Sequence, residues 1–258
     1  MRRVTLALVT LLLVFAWFIQ PAATPATRAA DVAPLPTLTV SGNRLLRAGQ
    51  PFVFHGINRN TLEWGRANWG GCGGDGHFTA ADFDNIAAWS VNIVRLPLSQ
   101  ANWLGRRCNA KAYMRLVDQA VALANSHGMY AILDLHWTDV GGKAPCDTGC
   151  STGQQPMPDA DSVRFWQGVA ARYAGNPGVL FGLFNEPHDV LWVCWRDGGC
   201  TATSSTPDPR TGKPVTYTTV GMQRLYDTVR AAAQDNIVLV GGLDWAYDLS
   251  GVGAGFAL

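Results

Sequence analysis

Glutamate is nearly absent from this chain: Glu63 and Glu186 are the only two in 258 residues, so glutamate-based chemistry has just two candidates. Runs of like charge are missing as well. Without Arg2, Arg3 and Arg28 of the amino end, 17 basic residues (20 minus 3) face 19 acidic ones, a balance that offers nothing to a nucleic acid or another polyanion. The first strand-to-helix connection, GINRNTLEWGRANWGGCGGDGH, lacks the G-x-G-x-x-G spacing of a dinucleotide site, and no cofactor is expected. Six cysteines are present, but no histidines stand at ligand spacing beside them, so a zinc site is the weaker reading and no metal is expected. Paired thiols in an oxidising compartment fit better. Cys146 with Cys150 and Cys194 with Cys200 could close local loops, leaving Cys72 with Cys108, although sequence alone does not choose among pairings.

What is present begins with a leader. Arg2 and Arg3 precede an uncharged apolar run from Val4 to Ile19 and then PAATPATRAAD, the layout of a secretory signal peptide over residues 1–30. The run is shorter than the roughly 20 residues of a spanning helix, which makes an uncleaved membrane anchor the alternative. The expected mature protein, 31–258, is secreted, free of the membrane after cleavage, and monomeric. With 48% hydrophobic residues the whole chain has ample material for a core.

TLTVSGNRLLRAGQPFVFHGIN reads as short strands broken by turns, ending in a buried strand from Phe52 to Ile57. An alternation follows. Thr79 caps a helix to Trp89, VNIVRLPL is a strand, Ala110 to Ser126 an amphipathic helix, and YAILDLH a strand. Asp161 to Tyr173 is the next helix, Gly178 to Asn185 the fourth strand, Met222 to Gln234 a further helix and IVLVGG the fifth strand. Apolar strands separated by single helices predict a parallel sheet covered by helices. Of the two candidate architectures, a doubly wound open sheet and a (β/α)8 TIM barrel, the barrel is favoured. Asn58, Arg95, His136, Glu186 and Asp244 stand at strand carboxyl ends, where barrel enzymes build their sites. Strand starts near 52, 92, 130, 179 and 237 give units of about 46 residues, so eight of them exceed the usual length of about 250. The expectation is an incomplete barrel holding about the first five β/α units, the amino-terminal portion of a catalytic domain.

Chemistry concentrates in FGLFNEPHD, residues 181–189. Glu186 stands where an apolar strand meets a loop, a partly desolvated place suited to general acid work; capping or an arginine pair is the structural alternative. Trp64, Trp69, Trp103, Trp137, Trp192, Trp195 and Trp245 all follow strands, and indole faces along one rim suit the C–H faces of sugar rings. Trp89 and Trp166 lie on apolar helix faces and are expected in the core. Two long connections, 136–160 and 187–220, hold four cysteines; the stretch CTATSSTPDPRTGKP within the second reads as mobile.

Four motifs in strand order carry a resemblance: Gly56-x-Asn58-x-x-x-x-Glu63, Ile93-Val-Arg95-Leu-Pro, Leu133-Asp-Leu-His136 and Asn185-Glu186-Pro187, with Leu239-Val-Gly-Gly and Trp245 beyond. The chain resembles glycoside hydrolase family 5, the retaining cellulase-type barrels, from residue 38 to about 250. The resemblance implies hydrolysis of a β-linked polysaccharide or oligosaccharide, first of all as an endo-β-1,4-glucanase. β-Mannanase, exo-β-1,3-glucanase and glycosylceramidase activity are alternatives on the same scaffold, and a non-catalytic carbohydrate-binding fragment is the alternative of a different class. It further implies that Glu186 is the acid/base, that Asn185 bonds the sugar 2-hydroxyl, that Arg95 holds the nucleophile ionised and that His136 lines the same subsite. Glu63, Trp137 and Trp245 would contact sugar, while Asp134, on the His136 face, would orient its neighbours. The retaining reaction needs a second carboxylate about 5–5.5 Å from the first. In the family a glutamate on strand seven supplies it, so this chain is expected to be inactive alone. Glu63 is a poor substitute, because strand ends one and four lie far apart around an eight-stranded rim.

Overall fold

The computed structural model describes residues 34–64, 78–140, 154–205, 207–208 and 211–258. The leader read at residues 1–30, Trp69, and the three cysteines Cys72, Cys146 and Cys150 lie outside them. Three short antiparallel strands come first, β1 (Leu38–Ser41), β2 (Arg44–Arg47) and β3 (Gln50–Pro51). Then follow β4 (Gly56–Asn58), α1 (Ala80–Ala87), β5 (Ile93–Ser99), α2 (Gln100–Trp103), α3 (Ala110–Ser126) and β6 (Tyr130–Trp137). The second half holds α4 (Ala160–Tyr173), β7 (Val179–Gly182), α5 (Trp192–Asp197), β8 (Gly198–Thr203), β9 (Thr216–Val220), α6 (Met222–Ala232) and β10 (Val238–Leu239).

Helices α1, α3 and α4 begin where a polar side chain can bond the unpaired first-turn N–H groups. Thr79 Oγ1 accepts from Asp82 N, Asn109 Oδ1 from Ala112 N, and Asp159 with Ser162 forms a capping box at α4. The turn after α3 passes through Gly128 in the left-handed region, φ 76°, which a Cβ would disfavour.

Five strands form one parallel sheet in the order β10-β7-β6-β5-β4. Register then sorts the side chains. Asn58 pairs with Arg95, Arg95 with Ile132, and Asp134 with Gly182, so by the two-residue period all these positions share one face with His136. The opposite face carries Val94, Leu96, Leu98, Leu133, Leu135 and Phe181, fully buried in one cluster with Val117, Phe165, Trp166 and Leu225 of the helices. Each such side chain stabilises the fold by about 1.5–3 kcal/mol relative to exposure. On the first face the floor is apolar: Ile93, Tyr130 and Leu180 pack with Leu38 of β1, and the Tyr130 hydroxyl donates to Pro36 O at 2.6 Å. Polar groups occupy the level above. An apolar floor beneath a polar rim is what places the site.

Several expectations need correction. The Thr- and Pro-rich stretch read as mobile contributes β8, which pairs antiparallel with β9. Its partner TYTTV alternates exposed and buried positions and is β-branched, and Tyr217 docks by exchanging hydrogen bonds with the Met157 backbone. Cys194 and Cys200 are free thiols, not a disulfide: their side chains lie within hydrogen-bond reach of each other, and both residues contact Thr219 Oγ1, through Cys194 Sγ and the Cys200 N–H. Cys108 is disulfide-bonded, and its expected partner Cys72 lies outside the described residues. Trp89 follows the end of α1 and is 69% exposed, so it is not a core residue, whereas Trp166 is fully buried. Trp103 and Trp195, expected on the rim, are buried: Trp103 belongs to α2 and packs edge-on against Tyr113 and Phe165, and Trp195 belongs to α5.

Candidate active site

Arg95 is the hub. Its Nη2 donates to Asp134 Oδ2 at 2.7 Å and to Asn185 Oδ1 at 2.5 Å, and its Nη1 reaches Asn58 Oδ1 at 3.4 Å. One guanidinium thus ties β4, β6 and the segment after β7 to β5, a use of its planar fork that a lysine could not reproduce. Asp134 is almost fully buried, and its Oδ2 also lies 2.9 Å from His136 Nδ1. A carboxylate can only accept, so the Nδ1–H donates and the proton position of this imidazole is set. Gly182 faces Asp134 across the register. A Cβ there would sit 2.8 Å from Asp134 Oδ1, so the missing side chain is what gives the carboxylate its room.

Asn185 is oriented at both ends. Its oxygen takes the Arg95 bond, its Nδ2 donates to Gln154 Oε1 at 2.8 Å, and its own N–H donates to Leu135 O at 3.0 Å. Gln154 in turn donates to Glu186 O at 3.3 Å. The Glu186 carboxylate is half-buried, with no hydrogen-bond partner among the described residues, and extends from a backbone fixed on both sides. Gln154 lies in the loop before α4, where no period or motif marks it, and the sequence reading missed it.

Glu63 is 3% exposed and accepts the Thr61 N–H at 2.8 Å. Burial pushes its carboxyl up; the hydrogen bonds from its own and the Thr61 backbone and the nearby His136 oppose this, while Asp134 adds to it. Those electrostatic partners put Glu63 beside the same cluster. Trp137 ends β6 partly exposed, its ring 6.4 Å from that of His136. Trp245 is 43% exposed, and its N–H donates to Pro187 O at 3.1 Å, next to Glu186. His188, also missed from sequence, stacks beneath it. Of the remaining tryptophans expected on the rim, Trp192 packs edge-on against Trp195 and beside Phe256.

The loop after β6 is pinned from below. Arg106 pairs with the buried Asp139 at 2.6 Å and also with Asp161, while Gln100 donates to Asp139 and Asp159 and accepts from Ser162. Among the described residues no three His, Cys, Asp or Glu side chains are grouped to hold a metal ion. No helix among them is long and apolar enough to cross a membrane.

Comparison with known proteins places the chain in a family. A family model for cellulase (glycosyl hydrolase family 5) matches residues 45–255. Endoglucanase Z of Dickeya dadantii is 25% identical over 216 residues, covering 82% of this chain and 40% of its own length. Among solved structures, the β-glucanase SdGluc5_26A of Saccharophagus degradans superposes with a TM-score of 0.60 at 24% identity, over 90% of this chain and 62% of that one; it is also known in complex with cellotetraose. The catalytic domain of Thermobifida fusca endoglucanase Cel5A gives a TM-score of 0.53 at 19% identity, over 85% and 57%. The chain therefore spans less than two thirds of the length of each. Its five parallel strands and covering helices are part of a (β/α)8 barrel.

Proposed function

The chain belongs to glycosyl hydrolase family 5, the cellulase family, and from that premise we propose that it forms part of a retaining endo-β-1,4-glucanase with Glu186 as the acid/base. The arrangement that carries this reading is the Arg95 hub, which gathers Asp134, Asn185 and Asn58 from three neighbouring segments beside Glu186. In the first step Glu186 gives its proton to the glycosidic oxygen as the bond to the sugar breaks; in the second it takes a proton from the water that releases the sugar. Asn185 bonds the 2-hydroxyl, a contact that strengthens as positive charge develops on the ring. His136 lines the same subsite, while Asp134 holds both His136 and Arg95 in place. Trp137 and Trp245 contact neighbouring sugar units, whereas Glu63, expected beside them, is enclosed next to the cluster and does not reach the sugar. A glucan substrate is favoured because the matched relative is an endoglucanase and the matched barrel is known with cellotetraose.

The nucleophile is assigned to barrel strands outside the five in this sheet. Glu63 is enclosed and bonded to Thr61 N, and Asp134 is taken by Arg95 and His136. The Arg95 charge beside this cluster would hold an incoming carboxylate ionised. Arg2, Arg3 and the apolar run behind them support export, with residues 31–258 as the working domain.

The test is Glu186→Gln in a protein carrying all eight strands. Hydrolysis of cellulose falls by about 10²–10⁴-fold. An aryl cellobioside whose leaving group needs no proton loses far less in its first step. Near-normal cellulose turnover by the variant removes Glu186 from the role, and turnover of mannan in place of cellulose by the unaltered enzyme redirects the substrate.

A further inference from the structure

His188 is 3% exposed, yet its imidazole lies face to face with the half-exposed Trp245, ring centroids 3.6 Å apart and planes 9° from parallel. One face of the indole is thus covered from inside the protein, while the residue as a whole stays 43% exposed. We propose that His188 is the positioning residue for Trp245, seating the indole as a stacking surface for the glycan unit beside the Glu186 loop. The inference rests on the reading of Trp245 as a sugar contact and adds what holds that contact in place.

Three observations support the assignment. First, the backbone joins the two halves of the stack and ties them to a third segment: Trp245 N donates to Pro187 O at 3.1 Å, and His188 N donates to Pro156 O at 3.0 Å. Second, Asp244, Trp245 and Ala246 are consecutive non-glycine residues in the left-handed region, with φ of 52°, 59° and 67°. Such residues cost of order 1 kcal/mol or more each and persist only where their surroundings impose them. The His188 stack and the Pro187 bond are contacts that do so. Third, only one imidazole nitrogen is spoken for: Nδ1 bonds Asp189 Oδ2 at 2.8 Å, while Nε2 is buried without a partner among the described residues. Among the described residues this nitrogen anchors nothing, and what the ring presents to Trp245 is its flat face. Aromatic faces also make the best partners for sugar C–H groups.

The experiment uses the 258-residue chain labelled with 5-fluorotryptophan, the Trp245 fluorine resonance being identified by its loss in Trp245→Phe. In the unaltered chain that resonance shifts on titration with cellotetraose. In His188→Ala it moves in the free protein, because the ring beneath it is gone, and the affinity for cellotetraose falls by at least about fivefold. His188→Phe, which restores a flat ring without the nitrogens, binds within about twofold of the unaltered chain. The other tryptophan resonances stay in place in both variants, separating a local loss from unfolding. If His188→Ala binds as tightly as the unaltered chain, or His188→Phe is as weak as His188→Ala, the stacking role is overturned. If the Trp245 resonance of the unaltered chain ignores cellotetraose, the sugar-contact reading fails instead, and the inference fails with it.

Discussion

Glu63 shows how much a single residue owes to its enclosure. Burial raises its carboxyl above the ordinary value of 4.5, against the pull of the Thr61 N–H. Below that value both folded and unfolded chains carry a protonated Glu63, and the group is neutral in its effect. As the pH rises past 4.5 the unfolded chain ionises first, and stability is lost until the folded carboxyl ionises too. Glu63→Gln cannot ionise. Its stability relative to the unaltered protein should therefore improve between about pH 4 and pH 7, read from urea midpoints at the two values; an unchanged difference would refute the buried-acid account. At this scale the sequence was informative wherever a polar residue interrupted an apolar strand. Asn58, Arg95 and His136 stood out for that reason, Asp134 and Asn185 through the family resemblance, and the structure gathers all five around one guanidinium. Gln154 and His188 lie in loops, where no period distinguishes a side chain that turns inward from one that meets water.

At the scale of elements, β7 contributes to the site by what it leaves out. Gly182→Ala would place a methyl group 2.8 Å from Asp134 Oδ1, in a strand paired on both sides. The carboxylate must then move off Arg95 and His136, and we expect a loss of about 1–3 kcal/mol in urea unfolding. Gly253→Ala, which meets open space, is the control and should stay within about 0.5 kcal/mol of the unaltered protein. Thr79→Ala removes the side-chain cap of α1 and should cost about 1 kcal/mol by the same measurement. Helices with polar caps and a regular apolar stripe were legible to within a residue or two, as α3 shows. The β8–β9 hairpin was not, because Gly, Ser, Thr and Pro in its first half outweighed the alternation in TYTTV. Burial of Tyr217 against the Met157 backbone, a contact between segments 60 residues apart, decided the outcome.

For the molecule as a whole, the proposed function makes the five strands one wall of a site that a retaining reaction would close with a second carboxylate. We expect the 258-residue chain alone to release no measurable reducing sugar from soluble cellulose, while binding cellotetraose through the rim that it does contain. Sustained release would place the nucleophile among the residues described above and overturn its assignment to other strands. Strand order and barrel class were legible from the alternation of apolar strands and amphipathic helices. The free Cys194 and Cys200 were not, since spacing in a Gly-rich segment says nothing of where each thiol points.

Register gives the parallel sheet a further property. Asn58, Arg95, Asp134 and Gly182 share a face only because their strands pair at the observed offsets. A slip of one residue between β5 and β6 would send Arg95 or Asp134 to the helix side, into the apolar cluster. The site therefore does not degrade by degrees as the sheet misassembles. It behaves as a parity check on the fold, present in correctly zipped molecules and absent from the rest, so that under the proposed function the fraction of a preparation able to bind cellotetraose would count the molecules whose strands have found their places.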